Sequence, residues 1–259
     1  MTTFIDVRGT RTAVEVEGSG PPLVMLHGAE GSRRQFAAIR PELSDRYTVI
    51  TYDQRDCGET TAPEVAPTLA ELADDARALL EALGHASAFV FGTSFGGRVA
   101  QALAVRHGSA VRRLVLASTW PSSVSLASAN PEIVQALGRL RAGLPATAEQ
   151  MAEIFFPADY LQAHPDARAY FKSAPARSAR SDRRAAAVGD LPDLDLSRIA
   201  QPTLVMAGTA DRLVPAELTL SLKDRVGGAV RTVLLPGVGH LSVAQAPKEV
   251  ASHLREFLV

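Results

Sequence analysis

Apolar and polar residues alternate through the first two segments, "FIDVRG" from Phe4 and "RTAVEVEG" from Arg11, which predicts an antiparallel hairpin with one polar face. The pattern then changes. Continuous apolar runs follow: "PLVMLHG", "YTVITYD", "ASAFVFG", "RRLVLAS", "PTLVMAG" and "VRTVLLPG". Runs rich in Val, Leu and Ile without alternation suit strands buried on both faces, as in a parallel sheet covered by helices. Helical patterns separate them. In "TLAELADDARALLEALG", Thr68 precedes Glu71 in a capping-box spacing, Leu69, Leu72, Ala76, Leu79, Leu80 and Leu83 share a face, and Gly84 is the stop. A second helix, "FGGRVAQALAVRHG", starts directly after Ser94.

One connection breaks the rhythm. About eighty residues lie between "RRLVLAST" and "QPTLVMAG", too many for an ordinary crossover and too rich in helical signals for a plain loop. They include "NPEIVQALGRLRAG", "TAEQMAEIFFPADYLQAH", "DARAYFKS" and the arginine-rich "ARSARSDRRAAAVGD". The expected architecture is therefore α/β: a mostly parallel, eight-stranded sheet with flanking helices, formed by residues 1–119 and 197–259, with residues 120–196 inserted as a helical cap. Arginines 177 to 184 are expected to form a solvated face of that cap.

Composition narrows the partners. A formal net charge of −1 over 259 residues gives no footing for nucleic acid or an anionic membrane surface, and small molecules are the expected partners. Cys57 is the single cysteine, so no internal disulfide forms, and the N-terminal stretch lacks the pattern of a signal peptide. A soluble, cytoplasmic protein is expected. Whether it is a monomer or a homodimer is not decided at this level.

Candidate chemistry starts at "GTSFGG", residues 92 to 97, where Ser94 sits among glycines between an apolar strand and a helix. A strand that reverses sharply into a helix leaves no room for side chains near the bend, and G-x-S-x-G is the pattern of a nucleophile elbow. A serine hydroxyl is a poor nucleophile at neutral pH. It needs a base, and the base needs an orienting carboxylate. Asp211 in "GTADRLVP" and His240 in "GVGH" follow later strands, at the carboxyl ends where ligands bind in open α/β sheets. His85, His107 and His253 read as surface residues, His164 as part of the cap, and His27 as a tie for loop backbone. Cys57 reads as a packing residue, and Asp53 and Arg55 as braces of the loop after their strand. No metal-ligand spacing and no phosphate-cradling loop is present, so no cofactor or metal is called for.

"HGAEGS", "YDQRDCGET", "GTSFGG", "GTADRLVP" and "GVGH", in this order and strand context, resemble the α/β-hydrolase fold superfamily, and more closely its capped serine esterase and enol-lactonase branches. The resemblance implies Ser94 as nucleophile, His240 as general base and acid, and Asp211 as the orienting acid. It also implies an oxyanion hole made by the backbone N–H groups of Ala29 and Phe95. The chain departs from the commoner pattern at Glu30, expected to turn outward to Arg33 or Arg34, and at "RDCG". Glu30, Trp120, Phe155, Phe156 and Tyr160 are candidates for the substrate pocket, although the aromatic residues serve equally to pack the cap. Arg98, one turn after Ser94, is read as support for the site before it is read as a ligand for an acidic group.

The activity implied is hydrolysis of a small carboxylic ester or lactone through an acyl-enzyme. Carbon–carbon bond hydrolysis of a diketone acid, favoured by an Arg98 that faces the ligand, and perhydrolase or non-metal haloperoxidase chemistry use the same triad. A ligand-binding receptor with a slow or silent triad is the alternative from another class.

Overall fold

The computed structural model describes residues 1–61 and 63–259. The expected strands form one sheet: β1 (Thr3–Val7), β2 (Thr10–Glu17), β3 (Pro22–Leu26), β4 (Thr48–Tyr52), β5 (Ala88–Thr93), β6 (Val111–Ala117), β7 (Thr203–Gly208) and β8 (Val230–Leu235). Their spatial order is β1-β2-β4-β3-β5-β6-β7-β8. β2 is antiparallel to both β1 and β4, and from β4 to β8 all neighbours are parallel.

Continuous apolar strands are explained by what each face meets. Val24 and Leu26 of β3, Val90 of β5, and Leu114 and Leu116 of β6 join a core on one side, with α1 (Leu69–Ala82) and α2 (Phe95–Arg106). Leu23 and Met25, Phe89 and Phe91, and Val115 and Ala117 point the other way, toward Phe36, Ile39 and Leu254. Each fully buried Leu, Val or Phe contributes roughly 1.5–3 kcal/mol by leaving water, so both faces of the central strands stabilise the sheet. β8 departs from the expectation of two-sided burial: it is an edge strand, and Leu234 is half exposed.

Helix α1 starts at the expected cap. Thr68 Oγ1 accepts the Glu71 N–H, and the Glu71 carboxylate accepts the Thr68 N–H in return. The segment between β6 and β7 carries helices and no strand among the described residues: α3 (Leu126–Ala129), α4 (Pro131–Ala142), α5 (Ala148–Phe155), α6 (Ala158–Ala163) and α7 (Ala179–Gly189). The single expected run "TAEQMAEIFFPADYLQAH" is broken at Phe156 because Pro157 disfavours helical backbone in the residue before it. α8 (Ala216–Leu220), α9 (Ser242–Gln245) and α10 (Pro247–Phe257) follow, and α10 seals the second face of the sheet through Val250, Ala251 and Leu254. No helix among the described residues is long and apolar enough to cross a membrane.

Arg177 and Arg180 are exposed, as expected of a solvated face, but the arginines of α7 do more than meet solvent. Arg183 binds the buried carboxylate of Asp56, Arg180 donates to the carbonyls of Cys57, Gly58 and Thr60, and Arg184 donates to the Asp56 carbonyl. The loop after β4 exposes a row of carbonyls and holds Asp56 at φ +61°, so it requires cations that a sequence pattern alone does not reveal. Arg98 supplies a second tie: fully buried, it donates to the carbonyls of Val188, Ser122 and Asp190. Burial pushes its pKa down to about 10, still well above neutrality. Arg55 and Asp53 do brace the loop, through separate partners: Arg55 pairs with Asp75 of α1, and Asp53 accepts from Arg33 and from the Glu59 N–H.

Close approach makes one glycine indispensable. A Cβ on Gly96 falls inside contact distance of the Leu26 and His27 carbonyl oxygens, backbone that cannot yield. Gly138, inside α4, has open space around it. Gly96→Ala is therefore expected to lower the unfolding free energy by more than about 2 kcal/mol, while Gly138→Ala leaves it unchanged or raises it by up to about 1 kcal/mol, as read by urea denaturation.

Candidate active site

The hydrogen-bonded ladder at the carboxyl ends of the strands decides which residues meet. Thr93 of β5 pairs with Ala117 of β6, and the Ser94 N–H donates to the Ala117 carbonyl at 3.0 Å. One strand further, the Ser118 N–H donates to Met206, and the Thr209 N–H donates to Leu235 at the end of β8. Loops carrying Ser94, Asp211 and His240 therefore leave the same edge of the sheet.

Ser94 lies at φ +54° and ψ −126°, a region that costs a non-glycine residue of order 1–3 kcal/mol. The Thr119 hydroxyl donates to the Ser94 carbonyl at 2.6 Å and holds the bend. Ser94 Oγ is 2.9 Å from His240 Nε2, and His240 Nδ1 is 2.9 Å from Asp211 Oδ2. The other carboxylate oxygen, Oδ1, accepts the N–H groups of Leu213 and Val214, at 3.0 and 2.9 Å. Two backbone donors thus fix the carboxylate, and its free oxygen requires a proton on His240 Nδ1. In the neutral imidazole Nε2 is then the unprotonated nitrogen and accepts from the serine. The His240 N–H donates to the Phe155 carbonyl at the end of α5, and the Phe155 ring stands edge-on to the imidazole with centroids 5.3 Å apart.

Ser94 and His240 open onto a cavity of about 260 Å³. Ala29, Phe95, Trp120 and Phe155 contribute to its wall, as the sequence leads one to expect, and so does Glu30. Among the described residues, neither the Ala29 nor the Phe95 N–H donates to a protein acceptor. Phe95 opens α2, where the first N–H groups have no partner within the helix and the helix dipole is positive. The neighbouring turn is built for this: Gly28 N–H is taken by Gln35 Oε1, and the Gly31 N–H by the Gly28 carbonyl.

Several placements differ from expectation. Phe156 and Tyr160 do not line the cavity; they stack on each other at 5.3 Å among the helices between β6 and β7, because the strand-like backbone of Phe156 turns its ring away from that of Phe155. Tyr170 and Phe171 take their place in the wall. Glu30 does not turn outward. Arg33 is consumed by Glu15, Asp53 and Glu59, and Arg34 is exposed, so Glu30 pairs with Arg141 at the end of α4 and stays in the cavity wall. Arg98 does not line the cavity.

Arg141 carried no local signal in sequence, since its partner is more than a hundred residues away in the chain. Leu213 and Leu241, also in the wall, were accessible by adjacency to Asp211 and His240. Tyr170 and Phe171 qualified on the same grounds as Phe155.

His27 is the loop tie it was read as. It is fully buried, its Nδ1 lies 2.8 Å from the Gly28 carbonyl, and Nε2 accepts the Gln54 N–H at 3.1 Å. Burial lowers its pKa, in keeping with the neutral ring this pattern needs. Cys57 is buried, and its thiol is pushed up to about 11.

The family model described as alpha/beta hydrolase fold matches residues 21–247. A proline iminopeptidase of Lactobacillus helveticus is 30% identical, covering 92% of this chain and 90% of its own. A 2-hydroxymuconate semialdehyde hydrolase of Pseudomonas is 29% identical over 96% of this chain and 91% of its own. Among solved structures, a thermophilic esterase from Thermogutta terrifontis superposes with a TM-score of 0.85 at 27% identity, covering 100% of this chain and 98% of its own.

Iodoacetamide at pH 8 is expected to alkylate Cys57 at least about 100-fold more slowly in the native protein than after unfolding, because burial and scarce thiolate both oppose attack. Mass spectrometry of native and urea-unfolded samples reads this; equal rates would mean an accessible, ionised thiol.

Proposed function

This chain belongs to the α/β-hydrolase fold family, and from that premise we propose that it hydrolyses a small carboxylic ester or lactone through an acyl-enzyme on Ser94. The observation that carries the reading is the pair of 2.9 Å contacts that link Ser94 Oγ to His240 Nε2 and His240 Nδ1 to Asp211.

In this mechanism His240 Nε2 takes the Ser94 proton as Oγ attacks the carbonyl carbon. The carbonyl oxygen becomes an oxyanion, and the Ala29 and Phe95 N–H groups stabilise it. His240 then gives its proton to the departing alkoxide, or to the ring oxygen of a lactone. Water enters, gives its proton to His240 and attacks the acyl carbon, and the acid leaves as Oγ regains its proton. Asp211 holds the imidazole tautomer and offsets the imidazolium charge throughout.

A largely apolar wall of Trp120, Leu137, Phe155 and Phe171 favours a compact acyl group, and the size of the cavity favours a small substrate. Residues 120–196 act as the cap that completes this wall. Carbon–carbon bond cleavage loses the support of an Arg98 facing the ligand, since that side chain is spent on three carbonyls. The esterase resemblance supports ester cleavage.

Incubation with a fluorophosphonate is expected to add one adduct to the native protein and none to Ser94→Ala, by intact mass. On short-chain nitrophenyl esters, Ser94→Ala and His240→Ala are each expected to lower kcat by at least about 10⁴-fold, and Asp211→Asn by about 10³–10⁴-fold through loss of the correct tautomer. An unlabelled native protein, or near-native turnover in Ser94→Ala, would overturn the proposal.

A further inference from the structure

A second cavity, of about 520 Å³, adjoins the one at Ser94 and shares a wall that includes Glu30, Arg141, Tyr170 and Phe171. Its charge is lopsided. Arg33, Arg34, Arg141, Arg177, Arg180 and Arg184 line it, against Glu30, Asp56 and Glu59.

Most of the acid charge is already committed. Arg33 takes Glu59 along with Glu15 and Asp53, Arg183 takes Asp56, and Arg177 is paired with Asp182. Arg180 and Arg184 donate to backbone carbonyls, which accept hydrogen bonds without cancelling charge. Arg34 is exposed, and its nearest carboxylate is Glu59 at 4.0 Å. What remains is Arg34, Arg141, Arg180 and Arg184 facing the one carboxylate of Glu30.

Arg141 is the residue at the junction. Its Nη2 donates to Glu30, while its Nε is buried and, among the described residues, has no acceptor. Burial and the positive charge of Arg184 press its pKa down to about 10, so it remains a cation at neutral pH, with Arg184 repelling it. An incoming anion relieves that repulsion and supplies the missing acceptor. A guanidinium has five N–H donors in a planar fork, which suits a carboxylate in addition to the one already bound.

We propose that the substrate carries a carboxylate, and that this group docks between Arg141 and Arg184 while the scissile carbonyl lies at Ser94. The carbonyl end of this assignment rests on the serine-hydrolase reading above; the carboxylate end rests on the charge and geometry of the second cavity. Glu30 is the internal anion that shares Arg141 with the substrate carboxylate and competes with it for the cation's charge. Arg180 and Arg34 add to the positive field that draws an anion toward the cavity.

The test compares 4-nitrophenyl half-esters of succinic, glutaric and adipic acid with their methyl-capped diesters, as the ratio of kcat/KM for anion over neutral ester. The wild-type ratio is expected to reach about tenfold or more for at least one chain length, and to fall toward one as NaCl rises from about 20 mM to about 0.5 M. The two halves of the ion pair should move it in opposite directions. Arg141→Gln and Arg184→Gln should each lower the ratio at least about fivefold, and Glu30→Gln should raise it about threefold, since Arg141 then loses its competing anion. A purely structural pair gives no such opposition, and the Glu30→Gln/Arg141→Gln double variant checks that the fold tolerates the loss of the pair. Neutral esters turned over with a ratio near one at every chain length would overturn the inference and leave the hydrolase reading standing. If no ester is turned over, calorimetric titration of Ser94→Ala with monomethyl and dimethyl glutarate still decides it: saturable binding of the monoacid alone, lost in Ser94→Ala/Arg141→Gln, supports the docking site, and equal or absent binding of the two overturns it.

Discussion

The left-handed backbone of Ser94 is the constraint on which the site depends. At φ +54° a serine is strained, and it stays there because everything around it is packed or bonded: its N–H to Ala117, its carbonyl to Thr119, and its flanks against Leu26 and His27 at Gly96. The strain lifts the hydroxyl off the end of β5 toward His240. Because β5 lies next to β6, and β6 next to β7 and then β8, the loops bearing Asp211 and His240 must emerge along the same edge. Sheet order therefore sets the composition of the site, and the bend at Ser94 sets its geometry.

The helical segment between β6 and β7 shares in that geometry. The last carbonyl of α5 holds the His240 backbone, and the Phe155 ring packs against the imidazole. The far end of the segment is fastened by cations: Arg98 of α2 reaches the end of α7, while Arg180, Arg183 and Arg184 of α7 reach the loop after β4. Ties that involve buried charge are costly to break from one side, because the partner left behind is desolvated and unpaired. The same arginines leave a surplus of positive charge beside the cavity, so the anchoring of this segment and the electrostatics near Ser94 have one source.

Legibility in the sequence followed the range of the interactions. The strands, the capping box at Thr68 and the glycine-flanked Ser94 are each written in a few consecutive residues, and each appears in the structure where the pattern put it. Asp211 and His240 were found by their position after apolar runs, which works because strand ends converge in a parallel sheet. Side chains whose partners lie far along the chain were misread. Glu30 was assigned to nearby Arg33 or Arg34, yet both were unavailable, one claimed by Asp53 and its neighbours and the other turned to solvent. The α7 arginines looked like a solvated face and nothing more because the carbonyls and the carboxylate that bind them belong to a loop more than a hundred residues earlier.

By itself, then, the sequence determined the α/β class, the number of strands and the burial of the central ones, and the identity of the three groups at the sheet edge. All of these arise from periodicity, turn chemistry and chain order. Only the tertiary structure decided which aromatic rings wall the cavity, that Arg98 is a strut and not a ligand for substrate, and that Arg141 meets Glu30 beside Ser94. Those outcomes depend on how one helical segment packs over a sheet edge. A helix shows its apolar face in its spacing, but the rotation and placement that choose its contacts come from the shape and charge of the surface beneath it.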